Sequence, residues 1–293
     1  MKTSVRIAVV TDIHHGRDHQ TKKGTAALGL IEGFLAFVAS EKPDLAIDLG
    51  DRISDVNGDT DLVLAREVAA ALRPIGAPLH HICGNHDLEY LSVAVNEDVL
   101  GQALAHATID IGDWRVVLWR ADSRIRRPGG FVFSEHDLQW LTEVVRAADR
   151  PLAIMSHVPV SGHSQIGNYY FQRNPEKSTY PEAESLRAVL RTAGVPVIWV
   201  AGHVHWNTLT FVDGIPHLTL QSLTETFTTH PEPAASWALL ELDDTIAWKV
   251  FGQDPLEVRL PAAPTTRRWV PPMPPFDQRP RVQPQPSGTL STE

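Results

Sequence analysis

A single cysteine, Cys83, occurs in 293 residues. This excludes an intramolecular disulfide framework and any thiolate cluster. Basic residues are also in short supply: 26 Lys and Arg stand against 35 Asp and Glu, a formal charge of −9. That balance counts against a dedicated binder of nucleic acid or of an anionic membrane, although a local basic patch survives it. Long apolar runs are missing. No window approaches about 18 uninterrupted apolar residues, so no transmembrane helix is expected. Val5 to Val10 is apolar but short, is broken by Arg6, and leads at once to Asp12. It lacks the features of a signal peptide, and a cytoplasmic location is the expectation. What is present is ordinary for a globular protein: 43% apolar and 21% charged residues, enough for a sizeable core. The length allows two domains, but single α/β domains reach it too. Fourteen histidines is a high count, and their placement directs the reading.

β-Branched runs alternate with amphipathic stretches. Strands are expected over residues 5–11, 45–49, 78–83, 152–156 and 197–201, with a hairpin at 108–111 and 114–119 around Gly112-Asp113. Helices are expected where Ala27, Ile31, Phe34 and Val38 recur at helical spacing, over 62–72, after a capping box at Ser134 to Asp137, and over 182–192. The remainder to residue 250 reads as strand-rich. From Pro255 onward the stretch holds 10 of the 22 prolines without periodicity. This predicts a body of residues 1–254 and a Pro-rich tail of residues 255–293, with Trp269 and Phe276 as candidate anchors.

The polar residues gather where strands end. The first strand is followed by Asp12 and His14, and the second by Gly50-Asp51. The third is followed by Gly84-Asn85-His86-Asp87. His157 follows the strand at 152–156, and Gly202-His203-Val204-His205 follows the strand at 197–201. In open α/β sheets the carboxyl edge is where ligands bind. Carboxylates, an amide oxygen and imidazoles, with no thiolate, suit borderline to hard divalent ions such as Mn, Fe, Zn or Co. The i, i+2 spacing of Asp12 with His14 and of His203 with His205 reads as extended segments presenting both side chains to one side.

These five blocks, in this order, resemble the calcineurin-like metallophosphoesterases. The pattern is most similar to bacterial class III cyclic-nucleotide phosphodiesterases and glycerophosphodiesterases, over about residues 5–220. The resemblance implies an α/β fold, a four-layer αββα sandwich with two mixed sheets flanked by helices. It implies a binuclear centre: Asp12, His14 and His205 on one ion, Asn85, His157 and His203 on the other, with Asp51 bridging. His86, not itself a ligand, would sit near the leaving-group oxygen as proton donor. The implied reaction is hydrolysis of a small-molecule phosphodiester by a hydroxide that the ions generate, with phosphomonoesterase activity as the alternative. A DNA exonuclease and a non-catalytic interaction scaffold are rival readings. The acidic charge opposes the first, and the complete ligand set opposes the second. The sequence leaves a homo-oligomer open. One departure is visible: many relatives carry an acidic residue three positions after the bridging aspartate, where this chain has Ser54, followed by Asp55.

Outside these blocks, His15 reads as a neighbour of the site, and His80, His81 and Cys83 as structural. His19, His106, His136, His217 and His230 receive no role. The segment from Ser161 to Tyr180 has the length and aromatic content of a lid or binding loop. Arg124, Arg126 and Arg127 form a small basic cluster, and Trp206 either walls the pocket or packs.

Overall fold

The computed structural model describes residues 4–264, residue 273 and residues 276–278. Its strands are β1 (Val5–Val10), β2 (Leu45–Asp48), β3 (Leu79–His81), β4 (Ala107–Ile111), β5 (Trp114–Leu118), β6 (Leu152–Ser156), β7 (Val197–Ala201), β8 (Thr208–Val212), β9 (Ile215–Thr219), β10 (Trp237–Leu242), β11 (Thr245–Phe251) and β12 (Leu256–Pro261). The α-helices are α1 (Ala27–Glu41), α2 (Gly58–Leu72), α3 (Asn85–Leu88), α4 (Val93–Leu100), α5 (Glu135–Arg146) and α6 (Ala183–Leu190). Two six-stranded sheets form, in the orders β12-β11-β10-β1-β2-β3 and β4-β5-β6-β7-β9-β8. Both are mixed. β1, β2 and β3 run parallel, as do β5, β6, β7 and β9, while β10 pairs antiparallel with β1.

Side-chain alternation explains the layering. Along β1, Val5, Ile7 and Val9 enter the core between the sheets, whereas Ala8 and Val10 face α1 and α2. Along β6, Ala153 and Met155 point to that same central core, and Leu152 and Ile154 point to α5 and α6. β7 repeats the arrangement with Ile198 and Val200 inward and Val197, Trp199 and Ala201 outward. A strand with apolar residues at every position must be covered on both faces, and the result is the four-layer αββα sandwich.

The stretch Gly24–Glu41 is long and apolar enough, by length and composition, to cross a membrane. Here it is a flanking helix: Ala27, Ile31, Phe34 and Val38 form one buried stripe on the outer face of the first sheet. The capping box of α5 is present, with Ser134 Oγ accepting from Asp137 N and Asp137 Oδ2 accepting from Ser134 N.

The structure departs from the sequence reading in two stretches. α4, capped by Ser92, was not anticipated. β12 lies beyond the boundary expected at residue 254: Leu256 to Pro261 pair with β11, and Leu256, Val258 and Leu260 pack on the central core. The prolines at 255 and 261 masked a period-two pattern. Trp269 and the side chain of Phe276 lie outside the described residues.

Candidate metal centre

The carboxyl ends of both parallel sets meet at one edge of the sandwich. His157 Nδ1 donates to Leu49 O at 3.0 Å, and His203 N donates to Asp12 Oδ2 at 2.9 Å, tying the second sheet to the first. The backbone there is unusual. Asp12, His14, Asp51, His203 and His205 all have positive φ, between 48° and 68°. Non-glycine residues occupy this left-handed region at a cost of about 1–3 kcal/mol each. The paired residues are therefore not extended, as their i, i+2 spacing suggests. Each is a left-handed turn residue held by tertiary bonds such as Asp12 N to Gly50 O at 2.8 Å and His14 N to Asp51 O at 2.9 Å.

Two glycines permit this closeness. A Cβ on Gly84 would lie 2.0 Å from Asp51 Oδ1, and one on Gly202 would lie 2.0 Å from Thr11 Oγ1 and 2.6 Å from Asp12 Oδ2. Any side chain at either position would displace a carboxylate.

The side chains converge in two groups that share Asp51. Ligand atoms of Asp12, His14, Asp51 and His205 lie within 4.8 Å of one another, as do those of Asp51, His157 and His203. Asn85 Oδ1 joins the second group, 3.3 Å from His157 Nε2. His86 donates its backbone N–H to Asp51 Oδ1 at 2.8 Å, and its Nδ1 is hydrogen-bonded to Asp55. All seven residues expected as ligands, and His86 beside them, thus come to one place. Ser54 Oγ lies 3.5 Å from His14 Nδ1, and the neighbouring Asp55 is turned to His86.

The donor set fits two cations. Asp12 Oδ1 is buried without a hydrogen-bond donor in ordinary geometry, with His205 Nε2 only 3.2 Å away. His14 Nε2 and His205 Nε2 face each other at 2.9 Å, about the separation of two donors at right angles on one ion with bonds near 2.1 Å. Three imidazoles have their other nitrogen committed. His157 Nδ1–H donates to Leu49 O. His203 Nε2–H donates to Lys177 O at 2.8 Å, and His205 Nδ1 lies 3.0 Å from Glu225 Oε2. Each such bond fixes the tautomer and leaves the remaining nitrogen as a ligand atom.

Electrostatics agree with this arrangement. Burial pulls His157 and His205 down, but the carboxylates of Asp51 and Asp12 outweigh it and raise both to about 9. Burial, with the charge of His157, lowers His203 to about 3. Burial, then the charges of Lys22 and His205, hold His14 well below its ordinary value. Asp51 titrates well below the ordinary range: its burial acts upward, but His157 and His86 prevail. At neutral pH the ion-free centre therefore carries protons on His157 and His205. Metal ligation requires both imidazoles neutral. Loading at pH 7 should release roughly two protons per chain, with release declining as the pH rises through about 9. Titration calorimetry in buffers of differing ionisation enthalpy reads this number directly. A buffer-independent heat would contradict the assignment.

Several supporting residues received no role in the sequence reading. Asp87 accepts from Asp51 N, Arg52 N and Gly84 N at 2.9–3.0 Å. Arg52, fully buried, spans Asp48 at 2.8 Å and Asp87 at 3.1 Å. Glu225 follows β9, so the strand-end rule that exposed the other site residues applies to it as well. Glu225→Gln should lower metal affinity or turnover about 10–100-fold, because the amide retains the shape but loses the charge behind His205. A metal titration of the variant with unchanged affinity and full turnover would contradict that role.

Other expectations resolve as structural contacts. His15 Nε2 meets Glu67 at 2.7 Å, and His81 Nδ1 meets Asp48 at 2.9 Å. Cys83 is buried, its thiol pushed up to about 12 by burial. His106 is bound on both nitrogens, to Asp137 and to Arg120 N, which accounts for the third cluster of His106, His136 and Asp137. Arg124 pairs with Asp122, whereas Arg127 reaches the cavity at the centre.

A family model for calcineurin-like phosphoesterases matches residues 5–207. The 3',5'-cyclic adenosine monophosphate phosphodiesterase CpdA of Pseudomonas aeruginosa is 27% identical over 210 residues, 69% of this chain and 70% of that protein. A dimetal phosphatase from Danio rerio superposes with a TM-score of 0.71 at 18% identity, covering 88% of this chain and 99% of the other. GAP50 of Plasmodium, described as the anchor in the inner membrane complex, gives 0.56 at 13% identity over 90% of each chain. At such identities these two solved structures speak for the fold alone.

Proposed function

The chain belongs to the calcineurin-like phosphoesterase family, and on that footing we propose that it hydrolyses small phosphodiesters at a dinuclear centre. Asp12, His14 and His205 would hold one divalent ion, Asn85, His157 and His203 would hold the other, and Asp51 would be common to both. The observation that carries this reading is the pair of ligand groups sharing one carboxylate. Two ions, when bound, supply charge stabilisation on both oxygens of an in-line displacement and a water acidified to near-neutral pKa.

The protein's own residues supply the rest. The P–O ester bond breaks with its electron pair on the departing oxygen, which needs a proton. In this reading His86 gives it. Its Nδ1 is bound to Asp55, and its Nε2 lies 3.9 Å from Asp51 Oδ2 on the cavity wall. Burial acts to raise Asp55, but the hydrogen bond and charge of His86 win and hold its carboxyl below the ordinary value. Asp55 thus remains an anion that orients the ring. Lys22, Arg127 and Lys177 line the same cavity and suit an anionic substrate. The cavity, about 360 Å³, is of small-ligand size. The phosphodiesterase named in Pseudomonas aeruginosa supports diesters over monoesters.

The test is a rate panel of bis-aryl phosphate, mono-aryl phosphate and cyclic nucleotides after reconstitution with Mn, Fe, Zn or Co. Diesters should be hydrolysed faster than the monoester. Faster monoester hydrolysis would make the protein a phosphatase, and no hydrolysis with any ion would leave a scaffold.

A further inference from the structure

The cavity beside the metal-binding groups has a second part that the hydrolytic step does not use. There Tyr169 and Phe227 turn their rings to each other, 17° from parallel with centroids 6.1 Å apart, and both line the cavity. Tyr169 is 55% exposed, a large aromatic face left open to solvent at the mouth of a site.

The segments that carry the two rings are held in place. The buried Asn168 donates from Nδ2 to Val204 O at 2.9 Å, and its Oδ1 accepts from Tyr170 N at 3.1 Å and Phe171 N at 2.9 Å. Val204 stands between His203 and His205, so the backbone that carries Tyr169 is tied to the centre. Phe227 follows Glu225 by two positions, and Glu225 holds both His205 and the Thr226 N–H. Two separate segments thus bring one aromatic ring each to the same part of the cavity, each anchored to the His203–His205 turn.

We propose that Tyr169 and Phe227 receive the base of a nucleotide phosphodiester by stacking, an inference that rests on the phosphodiesterase reading. Two rings enclosing a third stand about 7 Å apart, twice the roughly 3.5 Å contact of stacked carbons. The ring centroids are 6.1 Å apart, so a base enters between them as one ring turns aside, and Tyr169, 55% exposed, is the ring with room to turn. The cavity wall then matches the ligand part by part: ligand groups and cations toward the phosphate, flat apolar faces toward the base. A glycerol diester would leave both rings uncovered.

The test uses the full, metal-loaded chain. kcat/KM is measured for cyclic AMP and for glycerophosphoethanolamine in the native protein and in Tyr169→Ala, Phe227→Ala and Tyr169→Phe. Binding of AMP and of ribose 5-phosphate is followed by calorimetry. Stacking one base on an aromatic side chain corresponds to roughly tenfold or more in affinity. The ratio of the two kcat/KM values should fall by about that factor in each alanine variant, mainly through KM, and Tyr169→Phe should restore it. AMP should outbind ribose 5-phosphate in the native protein and lose that advantage in the alanine variants. An unchanged ratio, an equal loss on both substrates, or equal binding of AMP and ribose 5-phosphate would overturn the proposal. Failure of the native protein to hydrolyse either diester would instead overturn the phosphodiesterase reading, and the binding comparison would still decide the stacking site.

Discussion

Asp51→Asn should yield a folded protein that binds at most one ion and has lost its phosphoesterase activity. The substitution is nearly isosteric, so no core cavity is created. What changes is charge and donor pattern. Asp51 Oδ2 lies 3.4 Å from His157 Nε2 and 3.8 Å from His14 Nε2, and Oδ1 accepts from His86 N. An amide offers one oxygen instead of two, is neutral, and sets an N–H₂ donor against either the imidazoles or the His86 N–H. In the proposed centre this is the one anion common to both ions. Its loss should exceed the 10–100-fold effects typical of groups that only orient a ligand. Elemental analysis alongside turnover checks this. Two ions per chain with undiminished activity would contradict the bridging role.

His86→Ala should separate proton donation from metal binding. The ring is not among the convergent ligand groups, and the backbone N–H that it gives to Asp51 survives the substitution. Both ions should therefore remain. Hydrolysis of a diester with a nitrophenolate leaving group, which needs little protonation, should fall modestly. A diester with an alkoxide leaving group should lose roughly 10²-fold or more, the usual worth of a general acid. Equal losses on both substrates would make His86 a charge-stabilising group instead. Loss of one ion from the variant would make it a ligand.

The sheets were legible because burial on both faces leaves unbroken apolar runs such as Leu152 to Met155 and Val197 to Ala201. The seven metal-directed residues were legible for a related reason. Each follows an expected strand, and a parallel sheet sends those ends to one edge. The left-handed backbone at Asp12, His14, Asp51, His203 and His205 could not be read. It is imposed by hydrogen bonds to distant segments, against local preference. Arg52 carries no signal in the sequence, because its partners Asp48, Asp87 and Asn96 come together only in the fold. The pairing of Tyr169 with Phe227 depends on how two loops cross, and no periodicity encodes that. α4 was missed because its apolar face is thin: among its residues only Asn96 is buried.

A dinuclear centre that cleaves phosphodiesters is tested most directly by a metal titration of the ion-free protein, with bound metal by elemental analysis and bis-aryl phosphate turnover recorded on the same samples. Saturation is expected at two ions per chain, with turnover rising as the second ion binds. Saturation at one ion with full turnover, or turnover in the ion-free protein, would contradict it.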